Sequence, residues 1–129
     1  MKTKILILLF QLITGFGNCQ YFYDGSGKQI ARFDENYIYG ASGKQIGRVD
    51  ADKVFDGSGK YIGRIDGNKI YDGSGRSIGR VDGNNLYGGT GKLIGRIDGD
   101  KVYDGSGKYV GRADGLSRMQ IIIFLYCFY

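Results

Sequence analysis

Two short motifs in residues 55–70, FDGSGKYIGRIDGNKI, contain residue types that bind ligands in other settings. Gly59-Lys60 resembles the end of a phosphate-binding loop, and Asp66-Gly67-Asn68 resembles part of a calcium loop or a tight hairpin turn. A phosphate-binding loop also requires a glycine five residues before its Gly-Lys pair and a serine or threonine after it. Val54 and Tyr61 occupy those two positions, so the first motif predicts a turn rather than a phosphate site.

The calcium interpretation fails for a similar reason. An EF-hand loop places oxygen ligands at positions 1, 3 and 5 and glycine at position 6. Counted from Asp66, positions 5 and 6 are Ile70 and Tyr71. Aspartates in such turns are better explained as residues that hydrogen-bond to their own backbone. We therefore predict no metal and no cofactor.

The chain offers few residues for catalysis. It contains no His, and Glu35 is its single Glu, while Cys127 lies in an apolar segment. Every Asp except Asp52 and Asp100 occupies a position that recurs along the chain, so no unique pair of carboxylates stands out for acid–base chemistry. We expect a protein that is not an enzyme. A hydrolase, as the competing hypothesis, would have to depend on Glu35, Asp52 and Asp100.

Residues 1–19 have the composition of a secretory signal peptide. Lys2 and Lys4 precede an apolar core, residues 5–16, that is too short to span a bilayer. Small residues at the end of this segment favour cleavage after Cys19, which predicts a secreted or periplasmic protein without a transmembrane segment once it is cleaved. Attachment of a lipid to Cys19 is the alternative. The formal net charge of +5 is spread evenly and does not indicate a nucleic-acid partner.

A 16-residue repeat occupies residues 20–118. Its six copies begin at Tyr23, Tyr39, Phe55, Tyr71, Tyr87 and Tyr103. Each copy contains two turn signals and two short apolar runs, and glycine recurs in every copy, which predicts β-hairpins and disfavours helix. A unit this short cannot bury a core alone, so the copies must stack in a line or close into a ring.

The third copy shows how one hairpin would be paired. A two-residue type I′ turn at Gly67-Asn68 sets three favourable cross-strand pairs: Asp66 with Lys69, Ile65 with Ile70, and Arg64 with Tyr71. The position of Gly63 is Gly or Ala in every copy, and it has two explanations. A β-bulge there would bring Ile62 and Ile65 to one face, or the missing side chain would make room for a neighbouring segment.

Residues 119–129, MQIIIFLYCFY, form a continuous apolar run. Because the run does not alternate, it predicts a strand buried on both faces, as in the middle of a ring of hairpins. A segment that inserts into a membrane or docks onto a partner is the competing interpretation. The complete hairpin unit occurs five times. The predicted fold is therefore an all-β ring of five short hairpins, with residues 119–129 as a central strand of the same domain.

The repeated unit YDGSGKxIGRxDGNxI, and the exit GRADGLSR at residues 111–118 followed by an apolar end, resemble the secreted bacterial 5-fold β-flower proteins. The resemblance covers the chain after the signal peptide. It implies a compact flower of β-hairpins and no reaction. Departures in the first two copies predict less regular hairpins there, at Ala31, Glu35, Tyr37, Ala41 and Ala51. A weaker resemblance is to the Tyr-Asp repeats of large toxin shells.

Binding remains as the functional class. One repeat position, next to a shared Lys or Arg, varies among Gln29, Gln45, Tyr61, Ser77, Leu93 and Tyr109. Tyrosine beside a cation suits a shallow glycan or peptide site, so Lys60, Tyr61, Lys108 and Tyr109 are the candidate surface binding residues. The interpretation that the sequence favours is that these side chains pack across strands and form a solvated cationic rim. We expect a secreted or periplasmic non-enzymatic structural or binding protein of unknown ligand, and the alternative is a module that binds carbohydrate or another cell-envelope component. The less favoured function is a membrane-active protein that uses its apolar tail.

Overall fold

The computed structural model of the protein describes residues 20–129. Twelve antiparallel strands follow one another in a single closed barrel, in which each strand pairs with its neighbours in the chain and β1 pairs with β12. The strands are β1 Tyr21–Asp24, β2 Gln29–Asp34, β3 Tyr37–Gly40, β4 Gln45–Asp50, β5 Lys53–Asp56, β6 Tyr61–Asp66, β7 Lys69–Asp72, β8 Ser77–Asp82, β9 Asn85–Gly88, β10 Leu93–Asp98, β11 Lys101–Asp104 and β12 Tyr109–Asp114, and one helix, α1, spans Arg118–Cys127. The predicted signal peptide, with the alternative at Cys19, lies outside the described residues.

Two kinds of connection alternate around the barrel. The two-residue connections, called tight turns below, are 35–36, 51–52, 67–68, 83–84 and 99–100. The four-residue connections, called long loops, are 25–28, 41–44, 57–60, 73–76, 89–92 and 105–108. The five tight turns correspond to the five complete units in the sequence. The predicted ring of five hairpins is nevertheless incomplete, because the pairing of β1 with β12 supplies a sixth strand pair where the chain ends meet.

The predicted cross-strand pairs are confirmed in the third repeat. Asp66 pairs with Lys69, and the next two pairs follow in the predicted register. The turn type differs from the prediction. Gly67 has φ 62°, whereas Asn68 lies outside the left-handed region, which is the φ pattern of a type II′ turn rather than type I′. Glu35 and Ala51 adopt the same left-handed φ, 54° and 56°, and their hairpins keep the common register, so the expectation of less regular hairpins there is wrong.

The barrel wall places one set of apolar side chains inside, because successive residues of a strand point to opposite faces. The inward residues of the odd-numbered strands are Phe22, Ile38, Val54, Ile70, Leu86 and Val102. The corresponding residues of the even-numbered strands are Phe33, Val49, Ile65, Val81, Ile97 and Ala113, of which Val49 is only partly buried. Both sets belong to one continuous core.

A β-bulge lies beside Gly63, as the first explanation predicts. Val54 pairs with Gly63 and Phe55 pairs with Tyr61, so Ile62 is the extra residue of a β-bulge. The same shift recurs wherever a long loop joins two strands. Gly63 itself faces inward, where a Cβ would lie 2.8 Å from the carbonyl oxygen of Tyr71 and 3.6 Å from Cys127 Sγ. The glycine therefore also makes room for the neighbouring strand β7, whereas Cys127 of the C-terminal segment lies at an ordinary contact distance.

The prediction of a C-terminal strand is wrong, since this segment forms helix α1. Every strand of the barrel already has a partner on both sides, so a further strand inside it would leave its backbone N–H and C=O groups unpaired. A helix satisfies these groups internally. Its start is fixed by a capping box, in which the Ser117 hydroxyl accepts from the Gln120 N–H and the Gln120 side chain accepts from the Ser117 N–H.

Helix α1 lies inside the barrel. Four successive residues, 121–124, are buried, and because each turns about 100° from the last they cover most of the helix circumference. Strands spaced about 4.8 Å apart give this barrel a circumference near ~58 Å and a diameter of at least ~18 Å, against about 10–12 Å for a helix with side chains. Inward glycines supply the remaining room: a Cβ at Gly79 would overlap the ring of Tyr126, and one at Gly47 would overlap Phe128. Within residues 20–129 no helix has the length and apolar character needed to cross a membrane.

Candidate functional site

The outer face of the barrel carries a repeated pair of an arginine and an aromatic ring. In each pair the guanidinium lies 4.2 to 4.5 Å from the ring centroid, as for Arg64 over Tyr71, and the pairs occur in all six repeats. The same arginines also lie 3.6 to 4.0 Å from the aspartate two residues later. Exposed contacts of this kind contribute about 0.5–1 kcal/mol each. Because they are common to every repeat, they hold the wall together and do not mark a site.

Four of the six long loops are closed by the aspartate that precedes them. Asp56 Oδ1 accepts hydrogen bonds from the Ser58 N–H at 2.9 Å, the Ser58 hydroxyl at 2.7 Å and the Lys60 N–H at 3.0 Å. Gly59, at φ 91°, adopts the left-handed conformation that the loop requires. The Ser58 hydroxyl, and then the Lys60 N–H, hold the pKa of Asp56 below its ordinary value. The backbone N–H groups of Ser58 and Lys60 therefore donate to a carboxylate of the loop itself.

A shallow groove separates neighbouring long loops. The groove between the third and fourth long loops has a volume of about 450 Å³ and is lined by Lys60, Tyr61, Ile62, Asp72, Gly73 and Ser74. Its depth depends on the close approach of the fourth loop to β6. A Cβ at Gly73 would lie 2.7 Å from the carbonyl oxygen of Tyr61, so a side chain there would push the loop away. We call this surface the Tyr61 groove.

Packing on the barrel wall fixes the tyrosine ring of the Tyr61 groove. The Tyr61 ring is half-buried and lies 5.9 Å, between centroids, from the ring of Phe55. Phe55 in turn lies under the guanidinium of Arg48 at 4.3 Å. This row of side chains across β4, β5 and β6 restrains the ring on one side and leaves its other side toward the groove. The ring is therefore placed before any ligand arrives.

A second tyrosine occupies the equivalent place between the sixth and first long loops. Tyr109 is 38% exposed, and its ring lies 5.8 Å from that of Tyr103. A Cβ at Gly25 would lie 3.4 Å from the carbonyl oxygen of Tyr109 and 3.8 Å from its ring. The first long loop therefore lies beside Tyr109, less closely than the fourth lies beside Tyr61, where the corresponding distance is 2.7 Å. We call this surface the Tyr109 groove.

The structure thus brings the four predicted surface residues together in two pairs. Lys60 lies with Tyr61, and Lys108 with Tyr109, but the pairs belong to repeats three positions apart in a ring of six. They lie on opposite sides of the barrel. The sequence interpretation missed the facing loops, which add Asp72 and Ser74 to the first groove and Asp24 and Ser26 to the second. Gly63 pairs with Asp72, and this register places the long loop that follows Asp72 beside Tyr61.

The groove between the fifth and sixth long loops has the same construction with a different variable residue. Its volume is about 440 Å³, and it is lined by Lys92, Leu93, Ile94, Asp104, Gly105 and Ser106. Lysine, aspartate, glycine and serine recur at the same repeat positions as in the Tyr61 groove. Leucine replaces tyrosine. The backbone therefore provides the groove, and the variable residue sets its chemistry.

The carboxylates considered for hydrolysis do not assemble. Glu35, Asp52 and Asp100 lie in three different tight turns. Among the residues that the structure describes, no three His, Cys, Asp or Glu side chains are grouped to hold a metal ion. Burial raises the pKa of the Cys127 thiol to about 11, so this thiol is protonated and weakly nucleophilic at neutral pH.

Comparison with known proteins identifies one match. The sequence matches the family described as 5-fold beta-flower protein over residues 19–129, which covers every repeat and helix α1. No curated protein and no solved structure is significantly similar to the chain. The match agrees with the resemblance carried by the repeated unit and the apolar C-terminal end.

Proposed function

We propose that this chain, which belongs to the 5-fold beta-flower protein family, is a secreted or periplasmic bacterial protein that binds cell-envelope carbohydrate and catalyses no reaction. One observation carries the proposal. In the Tyr61 groove, a restrained aromatic ring stands beside a lysine and faces an ionised aspartate and a serine across an open channel. Aromatic face, cation and hydrogen-bond acceptor are the three elements that recognition of an acidic glycan requires.

The chemistry of the groove suits a sugar ring. The apolar C–H face of a sugar packs against an aromatic ring, while its hydroxyl groups need hydrogen-bond partners around the edge. The three hydrogen bonds of the fourth loop all use Asp72 Oδ1, which leaves Asp72 Oδ2 to accept from a sugar hydroxyl. The Lys60 ammonium donates, and it complements the carboxylates of peptidoglycan.

The size and stiffness of the groove also favour binding. A volume of about 450 Å³ lies in the range of small-ligand sites, and an open channel admits a polymer along its length. Both walls are ordered in advance: Asp72 closes the loop on one side, and Phe55 restrains Tyr61 on the other. Binding to an ordered surface avoids part of the entropy cost of immobilising side chains and loops.

Two features support a protein without enzymatic or membrane-disrupting activity. The carboxylates of the long loops are engaged in hydrogen bonds to their own loops, a structural use that repeats around the barrel. The apolar residues 121–124 are buried inside the barrel, so the tail has a structural partner within its own chain.

Two binding experiments test the carbohydrate function. Protein expressed from the full chain is applied to a glycan array and to insoluble peptidoglycan, beside a Tyr61→Leu/Tyr109→Leu variant. Leucine is the matched control because Leu93 occupies this position in the fifth repeat without changing the groove backbone. We expect retention of the parent protein on peptidoglycan and release of the variant, with equal unfolding midpoints. A parent protein that binds neither surface would contradict the proposal.

The N-terminus tests the location. Mass spectrometry of the protein purified after expression of the full chain in a bacterium is expected to show a first residue of Gln20. A mass increased by a diacylglycerol at Cys19 would support the lipid-anchored alternative, and an intact residue 1 would contradict export.

A further inference from the structure

We infer that the protein has two equivalent carbohydrate sites, the Tyr61 groove and the Tyr109 groove, and that it cross-links two glycan strands. The inference rests on the proposed function. It goes beyond that function because it fixes the number of sites, their positions and the residue that decides which grooves are active.

The two tyrosine grooves carry the same set of side chains. The first combines Lys60 and Tyr61 with Asp72 and Ser74. The second combines Lys108 and Tyr109 with Asp24 at the end of β1 and Ser26 of the first long loop, where a Cβ at Gly25 would lie 3.4 Å from the carbonyl oxygen of Tyr109. Asp24 and Asp72 make the same three hydrogen bonds within their loops, at distances that agree within 0.1 Å.

No other groove contains this set. The variable residue is Gln29, Gln45, Ser77 or Leu93 in the remaining four. Two of these four also face a loop that begins with Gly40 or Gly88 instead of aspartate, so they lack the carboxylate. The ring of six repeats therefore presents two complete sites and four incomplete ones.

The positions of the complete sites make the protein bivalent. They are 48 residues apart, which is three repeats, or half of the closed barrel. With strands about 4.8 Å apart, they are separated by at least ~18 Å across the barrel. Two sites that point in opposite directions cannot bind adjacent sugars of one strand. They engage two separate strands, and the second attachment is favoured by effective concentration.

A residue-resolved titration tests the number of sites. The probe is the soluble peptidoglycan fragment N-acetylglucosaminyl-N-acetylmuramyl-tetrapeptide, added to ¹⁵N-labelled protein. We expect the amide signals of Gly73 and Ser74, and those of Gly25 and Ser26, to shift with a common dissociation constant. Tyr61→Leu should abolish the first set of shifts alone, and Tyr109→Leu the second set alone. Shifts at only one groove would overturn the inference while leaving carbohydrate binding intact.

The fifth repeat allows the opposite experiment. Its groove has the lysine, aspartate and serine but carries Leu93 in place of tyrosine. Leu93→Tyr is expected to create a third site, seen as new shifts at Gly105 and Ser106 with the same probe. Ser77→Tyr is the matched control: its groove faces the loop after Gly88, which lacks the aspartate, and should gain no comparable site.

These outcomes separate the two proposals. If the probe shifts no signal and the parent protein also fails on the glycan array and on peptidoglycan, the carbohydrate function itself is wrong. If the probe binds but Leu93→Tyr adds no shifts, or if Tyr61→Leu and Tyr109→Leu change nothing, the two-groove inference is wrong and the carbohydrate is bound elsewhere.

Discussion

The barrel wall and the helix inside it are stabilised in different ways. The wall repeats each contact: its arginine–aromatic distances vary only between 4.2 and 4.5 Å across six repeats. The helix meets three equivalent wall positions with three different side chains. Phe128 faces Gly47, Cys127 faces Gly63 and Tyr126 faces Gly79. A repeating wall cannot by itself fix how the helix is rotated, so these single contacts must do so.

The largest expected loss of stability comes from truncating a core side chain of the helix, which is compared with truncating a core side chain of the wall. Phe124→Ala should lower the free energy of unfolding by about 3–5 kcal/mol, because Phe124 is 3% exposed and packs 4.8 Å from the ring of Phe22. Val54→Ala, at a fully buried wall position, should cost about 2 kcal/mol. Urea unfolding followed by far-UV circular dichroism measures both. A smaller loss for Phe124→Ala than for Val54→Ala would show that the helix side chain contributes less to the core than the wall side chain does.

Two equivalent glycines test whether single contacts orient the helix. A Cβ at Gly63 or at Gly79 would lie 2.8 Å from the carbonyl oxygen of the neighbouring strand, so the strain within the wall is matched. Only at Gly79 would it also overlap an aromatic ring, that of Tyr126. Gly79→Ala should therefore be more destabilising than Gly63→Ala by about 1–3 kcal/mol.

The control for this pair is a double-mutant cycle. Combining Gly79→Ala with Tyr126→Ala should recover part of the difference, because the smaller side chain removes the overlap. The combination of Gly63→Ala with Tyr126→Ala should be additive. Equal losses for the two glycine variants would mean that the helix is free to shift inside the barrel.

The same contrast explains what the sequence could predict. The wall was predictable because a hairpin register follows from a turn and a repeat, and the pairs of Arg64 with Tyr71 and Ile65 with Ile70 depend only on residues a few positions apart. A ring was predicted, but the two strands that close it, β1 and β12, were not identified, since this pair joins residues from the two ends of the described chain and no turn marks it.

The helix was missed because its conformation depends on its surroundings. Apolar, β-branched residues such as Ile121–Ile123 favour a strand locally. The closed wall leaves no partner for such a strand, and this tertiary condition overrides the local preference. The capping box of Ser117 and Gln120 was the available sequence signal for a helix start. The grooves were predicted in part: the variable tyrosines were identified, but the facing aspartates required the bulged register.

A smaller effect is expected from the Tyr126 hydroxyl, which hydrogen-bonds the helix to the barrel wall. The Tyr126 hydroxyl donates at 2.8 Å to the carbonyl of Tyr87 and lies 3.2 Å from that of Arg80. Tyr126→Phe should cost about 1 kcal/mol at neutral pH. Burial raises the pKa of Tyr126 from 10.0 to about 12. A raised pKa gives a contribution to stability that is complete below pH 10 and is lost as the pH rises through 12.

The pH dependence distinguishes this contact from simple packing. Urea unfolding of the parent protein and of Tyr126→Phe is compared at several values between pH 8 and pH 12. The difference in free energy should be constant below pH 10 and should shrink above it. Cys127, whose pKa is also raised by burial, is present in both proteins and cancels. A difference that does not change with pH would assign the effect to packing alone.

The smallest expected effect lies in the wall, where two long loops lack the aspartate of the other four. The loop after Gly88 makes the same backbone hydrogen bonds as the loop after Asp104. The Gly88 N–H donates to the Lys92 carbonyl at 2.8 Å, and the Gly88 carbonyl accepts from the Gly91 N–H at 3.0 Å. The corresponding distances at Asp104 are the same. A Cβ at Gly88 would make an ordinary contact, 3.4 Å from Ile94. Gly88→Asp should therefore accept hydrogen bonds from Thr90 and Lys92 and stabilise the protein slightly at neutral pH.

The pH dependence of this gain follows from the existing loops. Hydrogen bonds from the Ser106 hydroxyl and the Lys108 N–H lower the pKa of Asp104 from its ordinary 3.8, so its contribution to stability is present above that pH and is lost as the pH falls through the lower, folded value. Thermal unfolding of Gly88→Asp should show a raised midpoint at pH 7 and a shrinking gain toward pH 2, with Asp104→Gly as the mirror-image control. If the raised unfolding midpoint of Gly88→Asp survived full protonation, the gain would come from the backbone, because removing a glycine also restricts the unfolded chain. The hydrogen-bonded carboxylate would then not be the reason that four of the six loops carry aspartate.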